Sequence, residues 1–360
     1  MKTASFRVDS SNFIGTGHIQ RCMTLARELQ KNNYECIFYC QNLINNYSAR
    51  IEQAGFSIKR IKSSAPLLDS QKATDDFFDQ NWFHDADQFI GLLNTSVSDL
   101  VVVDHYWLDK NWEKKISKHA QSILVIDDLA NRKHFCDVLV DPSLSRKASD
   151  YTELVLPHTK LLLGSNYAII KDEFVDLRED AIVKRALLKD QMNILMVFGG
   201  GNVSVDLNSI FTSIENMLPS LPLNIHFISG GLTINRDRFS STPNVTFTKE
   251  KYSNSLYENM LWADIAIGAG GTISWERCCM ALPTIAMVLA DNQRHVVEAL
   301  DLSGAICPIF DADEIADKIG TYLTLLCDNK QYYQKMSKNA QNICDGLGKS
   351  RIIKEIISAH

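Results

Sequence analysis

The sequence predicts an α/β protein of two doubly wound, parallel-sheet domains facing across a cleft. Three observations carry that expectation. Short, nearly unbroken apolar runs end in charge or glycine, as in DLVVVDHYWLD at 99–109, ILVIDDLANR at 123–132 and IAIGAGG at 265–271. Strands buried on both faces read this way, and the helical segments between them supply the crossovers of a parallel sheet. A strand, a glycine loop and a helix follow one another from Phe6 to Leu29, and the same order restarts at NILMVFGG, 193–200. Finally, 360 residues of which 45% are hydrophobic suffice for two cores rather than one. The expected domains are 1–165 and 185–345, with the charged stretch 172–190 as the crossing between them.

The elements follow in order. Phe6 and Val8 mark a first strand, and in the next segment Ile19, Cys22, Met23, Leu25, Ala26 and Leu29 fall on one side of a helix. YECIFYC at 34–40 reads as a strand, INNYSARIEQAG as a helix stopped at Gly55, and SIKRIK as another strand. Residues 63–80 are polar enough for a surface loop, and WFHDADQFIGLL turns helical again. NWEKKISKHA is the helix between the two apolar strands at 99–109 and 123–132, and VLVDP ends a third at Pro142. In the second half the helices fall from about Asp206, at 256–262, at 272–280 and after Asp313. NIHFISGG, VTFTK, IAIGAGG and PTIAMV are its later strands.

Composition narrows the function. A formal net charge of −6 gives no reason for attraction to nucleic acid or an anionic membrane. Nine cysteines, an odd number without a Cys-x-x-Cys pair, read as reduced and mostly buried thiols, which favours the cytoplasm. The opening MKTASFRVDS has no apolar signal core, and no apolar run approaches the roughly 18 residues of a membrane span.

SNFIGTGHIQRC at 11–22 is the first candidate site. It is not a dinucleotide fingerprint, because the third glycine would fall on Gln20, and no Gly-Lys-Ser/Thr follows to make a Walker loop. Three readings stay open: a tight strand-to-helix turn, contacts from Gly15 and Gly17 to a phosphate, or a loop that positions His18. A histidine in the first turn of a helix is favoured in its neutral form, which can accept a proton from water. Asp9, Asp104, His105, Asp127 and Asp128 fall at strand carboxyl ends, where ligands of such sheets bind. They lack compact metal-ligand spacing, so neither a metal nor a cofactor is expected. In the second half, FGGGN presents Gly200, and IGAGGTISWE presents Gly270, Gly271 and Thr272 at a helix start with Glu276 inside that helix. N–H groups there suit a diphosphate, and a carboxylate suits two ribose hydroxyls.

At these residues a family becomes visible. FRVDSSNFIGTGHIQRCMTLA, VVVDHYWLD, VIDDLANR, DVLVDPSL, FGGGN, AIGAGGTISWERCCMALPTI and VLADNQ, in this order through most of 5–310, resemble the UDP-2,4-diacetamido-2,4,6-trideoxy-beta-L-altropyranose hydrolases of pseudaminic acid biosynthesis. That family is similar to nucleotide-sugar glycosyltransferases with two Rossmann-like domains, the GT-B type. The resemblance implies metal-independent hydrolysis of the UDP-sugar to UDP and 2,4-diacetamido-2,4,6-trideoxy-L-altrose, by water attack at the anomeric carbon with inversion. It makes His18 the catalytic base with Asp9 and Asp104 as partners. It places Gly270 and Gly271 at the phosphates, Glu276 at the ribose, and Asn292 and Gln293 near the sugar. Val8 and Trp107 stand where the pattern has alanine and glycine, which points to an altered sugar preference. A glycosyltransferase using a UDP-sugar donor and a non-catalytic UDP-sugar binding protein are the alternatives.

Overall fold

The computed structural model describes residues 1–10, 16–41, 49–62, 71–94, 96–187, 190–199, 206–216, 222–230, 232 and 245–358. Gly15 and Gly200 lie outside the described residues. Backbone contacts divide the chain into two units, Met1–Ile169 with Leu347–His360, and Ile170–Gly346. Each is built on one parallel sheet.

The first sheet contains β1 (Lys2–Val8), β2 (Tyr34–Gln41), β3 (Ser57–Ile61), β4 (Leu100–Asp104), β5 (Ile123–Ile126), β6 (Val138–Asp141) and β7 (Lys160–Leu163). Their order is β3-β2-β1-β4-β5-β6-β7. In register, Phe6 lies between Phe38 and Val102, and the two phenylalanine rings stack at 4.8 Å. The second sheet contains β8 (Met192–Val197), β9 (Leu223–Ile228), β10 (Val245–Glu250), β11 (Ile265–Ala269), β12 (Thr284–Met287) and β13 (Ile306–Ile309). Its order is β10-β9-β8-β11-β12-β13.

Both sheets therefore start in the middle, wind outward to one side, then return to the other side of the first strand. Where the winding reverses, neighbouring loops leave in opposite directions and open a crevice beyond the strand carboxyl ends. Those reversals fall between β1 and β4 and between β8 and β11. Asp9 follows the first of these strands, Asp104 ends the second, and Gly270 and Gly271 follow the last.

Buried side chains explain why the elements hold. On one face of the first sheet, Ile19, Cys22, Leu25 and Leu29 of the helix Gly17–Lys31 share a core with Ile352, Ile353 and Ile356 of the helix Gly348–Ser358. The other face is covered by Phe89 and Trp112, whose rings meet at 5.1 Å. The second unit buries Ile210 and Ile214 against Ile319 and Leu323.

Three elements differ from the sequence reading. Residues 71–80, expected in a loop, belong to the helix Gln71–Leu92. Once the buried part around Ala86 and Phe89 is helical, extending it costs little per residue, because the expensive nucleus already exists. β7 and β13 were not anticipated, and both lie at sheet edges. Pro308 inside β13 argues against a strand in sequence, yet an edge strand needs ladder donors on one side only. All nine cysteines are free, and all but Cys327 are buried. Among the described residues no helix is long and apolar enough to cross a membrane.

Candidate active site

The first-unit site grows from β1, β4 and the helix Gly17–Lys31. Gly17 opens that helix, which puts His18 in its first turn and Arg21 one turn further on the same side. β4 delivers Asp104 to both. The Nδ1 of His18 lies 2.5 Å from Asp104 Oδ1, and Arg21 closes on the same carboxylate with Nε on Oδ2 and Nη2 on Oδ1, each at 2.6 Å. A carboxylate can only accept, so Nδ1 carries a proton, and in the neutral ring Nε2 is then the nitrogen with a free lone pair. Arg21 Nη2, 3.1 Å from Nδ1, is then a neighbour of the ring and a donor to Asp104. Burial alone would raise the Asp104 carboxyl, but Arg21 and then His18 outweigh it and hold it well below the usual carboxylate range. Tyr106 stands edge-on to the imidazole at 4.5 Å. His18 is 5% exposed and Asp104 1%.

Asp9 belongs to a neighbouring network. Its Oδ1 accepts from the Gln41 amide at 2.7 Å, and its Oδ2 from Arg7 at 2.8 Å and His105 at 3.1 Å. Arg7 is held in turn by both oxygens of Asp85, at 3.0 and 2.7 Å. Burial raises the Asp9 carboxyl, and the opposing pull of Arg7 and His105 brings it well below its ordinary value. His105 is driven down by burial despite its bond to Asp9. With both oxygens engaged, Asp9 is equipped to anchor the end of β1 and the His105 ring.

The acids after β5 separate. Asp127 is saturated, accepting from Arg132 and Tyr151 at 2.8 Å and from the Ala130 amide at 3.0 Å. His134 lies between it and Glu113, with Nδ1 at 2.7 Å from Glu113 and Nε2 at 3.8 Å from Asp127. Burial opposes its charge, yet these two carboxylates push its pKa up to about 9. Asp128 instead faces the His18 group, its Oδ2 accepting from Arg21 Nη1 at 2.9 Å. Among the described residues no group of three or more His, Cys, Asp or Glu is gathered to hold a metal ion.

The second-unit site lies at the end of β11. The Gly270 amide is already bonded to Met287 O at 2.9 Å, so the loop amides left for an anion begin at Gly271. Gly270 matters for its missing side chain, since a Cβ there would lie 2.2 Å from Val297 Cγ2. Thr272 is exposed and makes no capping bond to the helix Ile273–Cys279 that it precedes. Glu276, on that helix, is half-buried, and no hydrogen bond reaches its carboxyl from the described residues. Burial raises it to about 7, against the pull of Lys171 and Arg277. Gln293 Oε1 accepts from the Leu289 amide at 3.0 Å, and its Nε2 lies near Gly271. Asn292 is exposed in the same short turn.

Two arginines in these sites escaped the sequence reading. Arg277 donates to Ala269 O at 2.9 Å and Val197 O at 3.1 Å, tying together the two strands at the reversal. Burial lowers its pKa to about 10. Arg21 was within reach of sequence reasoning, because a residue three positions after His18 shares its helix face. Arg277 was not, since both its acceptors are backbone carbonyls.

Two sheets wound in this way, each with its polar residues at the reversal, define a GT-B fold. Residues 194–356 match the model of the glycosyltransferase family 28 C-terminal domain. Over 170 residues, 47% of this chain and 52% of the relative, the sequence is 28% identical to the UDP-2,4-diacetamido-2,4,6-trideoxy-beta-L-altropyranose hydrolase of Campylobacter jejuni. The chain spans about half the length of the first curated relatives it matches, 52% and 56%. Among solved structures it is similar to Acinetobacter baumannii MurG, with TM-score 0.70 and 14% identity over 99% of this chain and 100% of that one. The UDP-GlcNAc 2-epimerase of Neisseria meningitidis bound to UDP-GlcNAc gives TM-score 0.62 and 16% identity over the whole of both chains.

Proposed function

We propose that this chain is a UDP-sugar-processing enzyme in which His18 deprotonates the oxygen that attacks the anomeric carbon. The observation that carries the reading is the bond of Nδ1 to Asp104, which leaves Nε2 as the proton acceptor. As the proton arrives, the ring becomes an imidazolium paired with a carboxylate whose ionisation is already secured. Asp9 acts as the anchor of His105 and of the β1 terminus. The nucleotide belongs to the second unit. There Glu276 accepts from the ribose hydroxyls, and the N–H groups from Gly271 and Thr272 onward stabilise the diphosphate as it leaves. Gly270 allows the close approach of Val297, and Asn292 and Gln293 complete the sugar side. Gly15, Gly17 and Gly200 are the remaining glycine-loop candidates for contact with the substrate. No metal ion takes part in this reading.

Two acceptors fit the chemistry. Transfer to the hydroxyl of a second molecule has the broader support, from the family 28 match and from several similar structures that are themselves glycosyltransferases. Water as acceptor is supported by the match to the Campylobacter hydrolase and by the ordered motifs. The two differ only in which oxygen His18 activates. That diacetamido sugar is the first candidate donor, and a cytoplasmic setting agrees with nine unbridged thiols.

The deciding experiment follows a panel of UDP-sugars by proton NMR with chelator present, with and without hydroxyl acceptors. Release of UDP is expected from at least one donor, and its dependence on acceptor separates transfer from hydrolysis. If hydrolysis occurs, oxygen from labelled water enters the sugar. His18→Ala is expected to keep UDP affinity and to lower turnover at least a hundredfold. Full turnover in that variant would remove His18 from the base role, and binding of UDP-sugars with no turnover of any donor would leave a binding protein.

A further inference from the structure

Asp104 and the Arg21 guanidinium lie against His18, and a second carboxylate, Asp128, lies beyond that guanidinium. Beyond its two bonds to Asp104, Arg21 donates from Nη1 to Asp128 Oδ2 at 2.9 Å, so the planar fork is held at both ends. Asp128 is fastened through its carbonyl by Arg146 Nη2 at 3.0 Å, and Arg146 is itself paired with Asp141. Asp128 Oδ1 is buried and has no hydrogen-bond partner among the described residues, so the negative charge of this group is not fully spent.

The charges have a direction. While His18 is neutral, Asp104 and Asp128 outnumber Arg21, and a proton taken up at Nε2 brings the set into balance. The other groups around the ring do not alter this count. Tyr106 presents a ring edge, and the Cys22 thiol donates to Asp104 Oδ2 at 3.5 Å. Burial, reinforced by Asp104, pushes the Cys22 thiol far above its ordinary value, so it stays neutral.

We propose that Arg21 and Asp128 are positioning residues that act on His18 through Asp104. Arg21 keeps the carboxylate in line with Nδ1 and limits how strongly it draws a proton onto the ring, while Asp128 fixes the Arg21 fork and restores part of the negative charge. The inference rests on His18 being the base.

Opposite effects follow from the two partners. Arg21→Gln removes the cation, and the pH at which His18 is half-protonated rises by about one to two units. Asp128→Asn removes an anion one side chain further away, and that pH falls by about half a unit. Arg21→Lys keeps the charge without the fork, so the titration returns toward wild type while kcat falls with little change in KM.

The test is a carbon-13 NMR titration of the His18 Cε1–H group in the full chain, with its resonance assigned by its loss in His18→Ala. The pH profile of kcat/KM is measured beside it. Opposite displacements of the titration in Arg21→Gln and Asp128→Asn, matched by the acidic limb of the profile, are expected. Unmoved titrations, or displacements of the same sign, overturn the inference. The NMR readout needs no turnover, so the two failures separate: active His18→Ala ends the base reading, and an unmoved His18 resonance ends this one. If Arg21→Gln does not fold, Asp128→Asn and Arg21→Lys decide, through the downward shift of the one and the kcat loss of the other.

Discussion

The proposed ribose role of Glu276 gives nucleotide binding a testable pH dependence. Its carboxyl is raised to about 7 by burial, with no hydrogen-bond donor from the described residues to stabilise the anion. A ribose supplies two hydroxyl donors, so the ligand prefers the ionised form and draws it out of a half-protonated population. If only the carboxylate binds, affinity for uridine, which carries no phosphate to titrate in this range, is roughly tenfold weaker at pH 6 than at pH 8. Calorimetric titration at the two pH values measures this directly, and Glu276→Gln is expected to remove most of the difference. The same shift has a cost in the free protein. A carboxyl whose folded value lies above its unfolded value of about 4.5 contributes stability below that pH and loses it as pH rises through about 7. Glu276→Gln is therefore expected to raise the unfolding free energy at pH 8, by up to about 3 kcal/mol and with it the urea midpoint, and to leave both nearly unchanged at pH 4. An equal pH slope of uridine affinity in wild type and variant would refute the ribose role and leave Glu276 as an ordinary helix residue.

Three further outcomes follow from the geometry. Gly270→Ala sets a methyl group 2.2 Å from Val297 Cγ2 and is expected to destabilise the second unit by about 1–3 kcal/mol in urea unfolding, with much of the loss recovered when Val297→Ala makes room. His134, raised to about 9, lends its ion-pair stability in full below its ordinary 6.5 and loses it as pH rises through about 9. A urea midpoint that falls between pH 7 and 10 in wild type, and falls less in His134→Gln, checks this. Arg277→Met strands the carbonyls of Ala269 and Val197 without their donors and is expected to cost about 3 kcal/mol and to weaken UDP binding, read by unfolding and by calorimetry.

The sequence by itself determined the alternation of strands and helices and the restart of that order in the second half of the chain. Apolar runs such as Leu100–Asp104 are legible because a parallel strand is buried on both faces, and the residue ending it is polar because it meets solvent or ligand. His18, Asp104, Gly271 and Glu276 stand out as candidates for the same reason: each falls at a strand end or in the first turns of a helix, where the change of pattern marks it. The edge strands β7 and β13 do not, since half-exposed edges lack the continuous apolar run. What only the tertiary structure decided is how neighbouring acids divide their work. Asp127 and Asp128 are adjacent and chemically alike, yet Asp127 is saturated by Arg132, Tyr151 and a backbone amide, while Asp128 reaches Arg21 from 107 positions away. Asp9 and Asp104 likewise stand at the ends of neighbouring strands, but Asp104 meets the His18 imidazole while Asp9 meets that of His105. Local sequence fixes a side chain's type and its place on a strand or helix; its partners come from crossovers that span a hundred residues, and those partners set its charge and its proton.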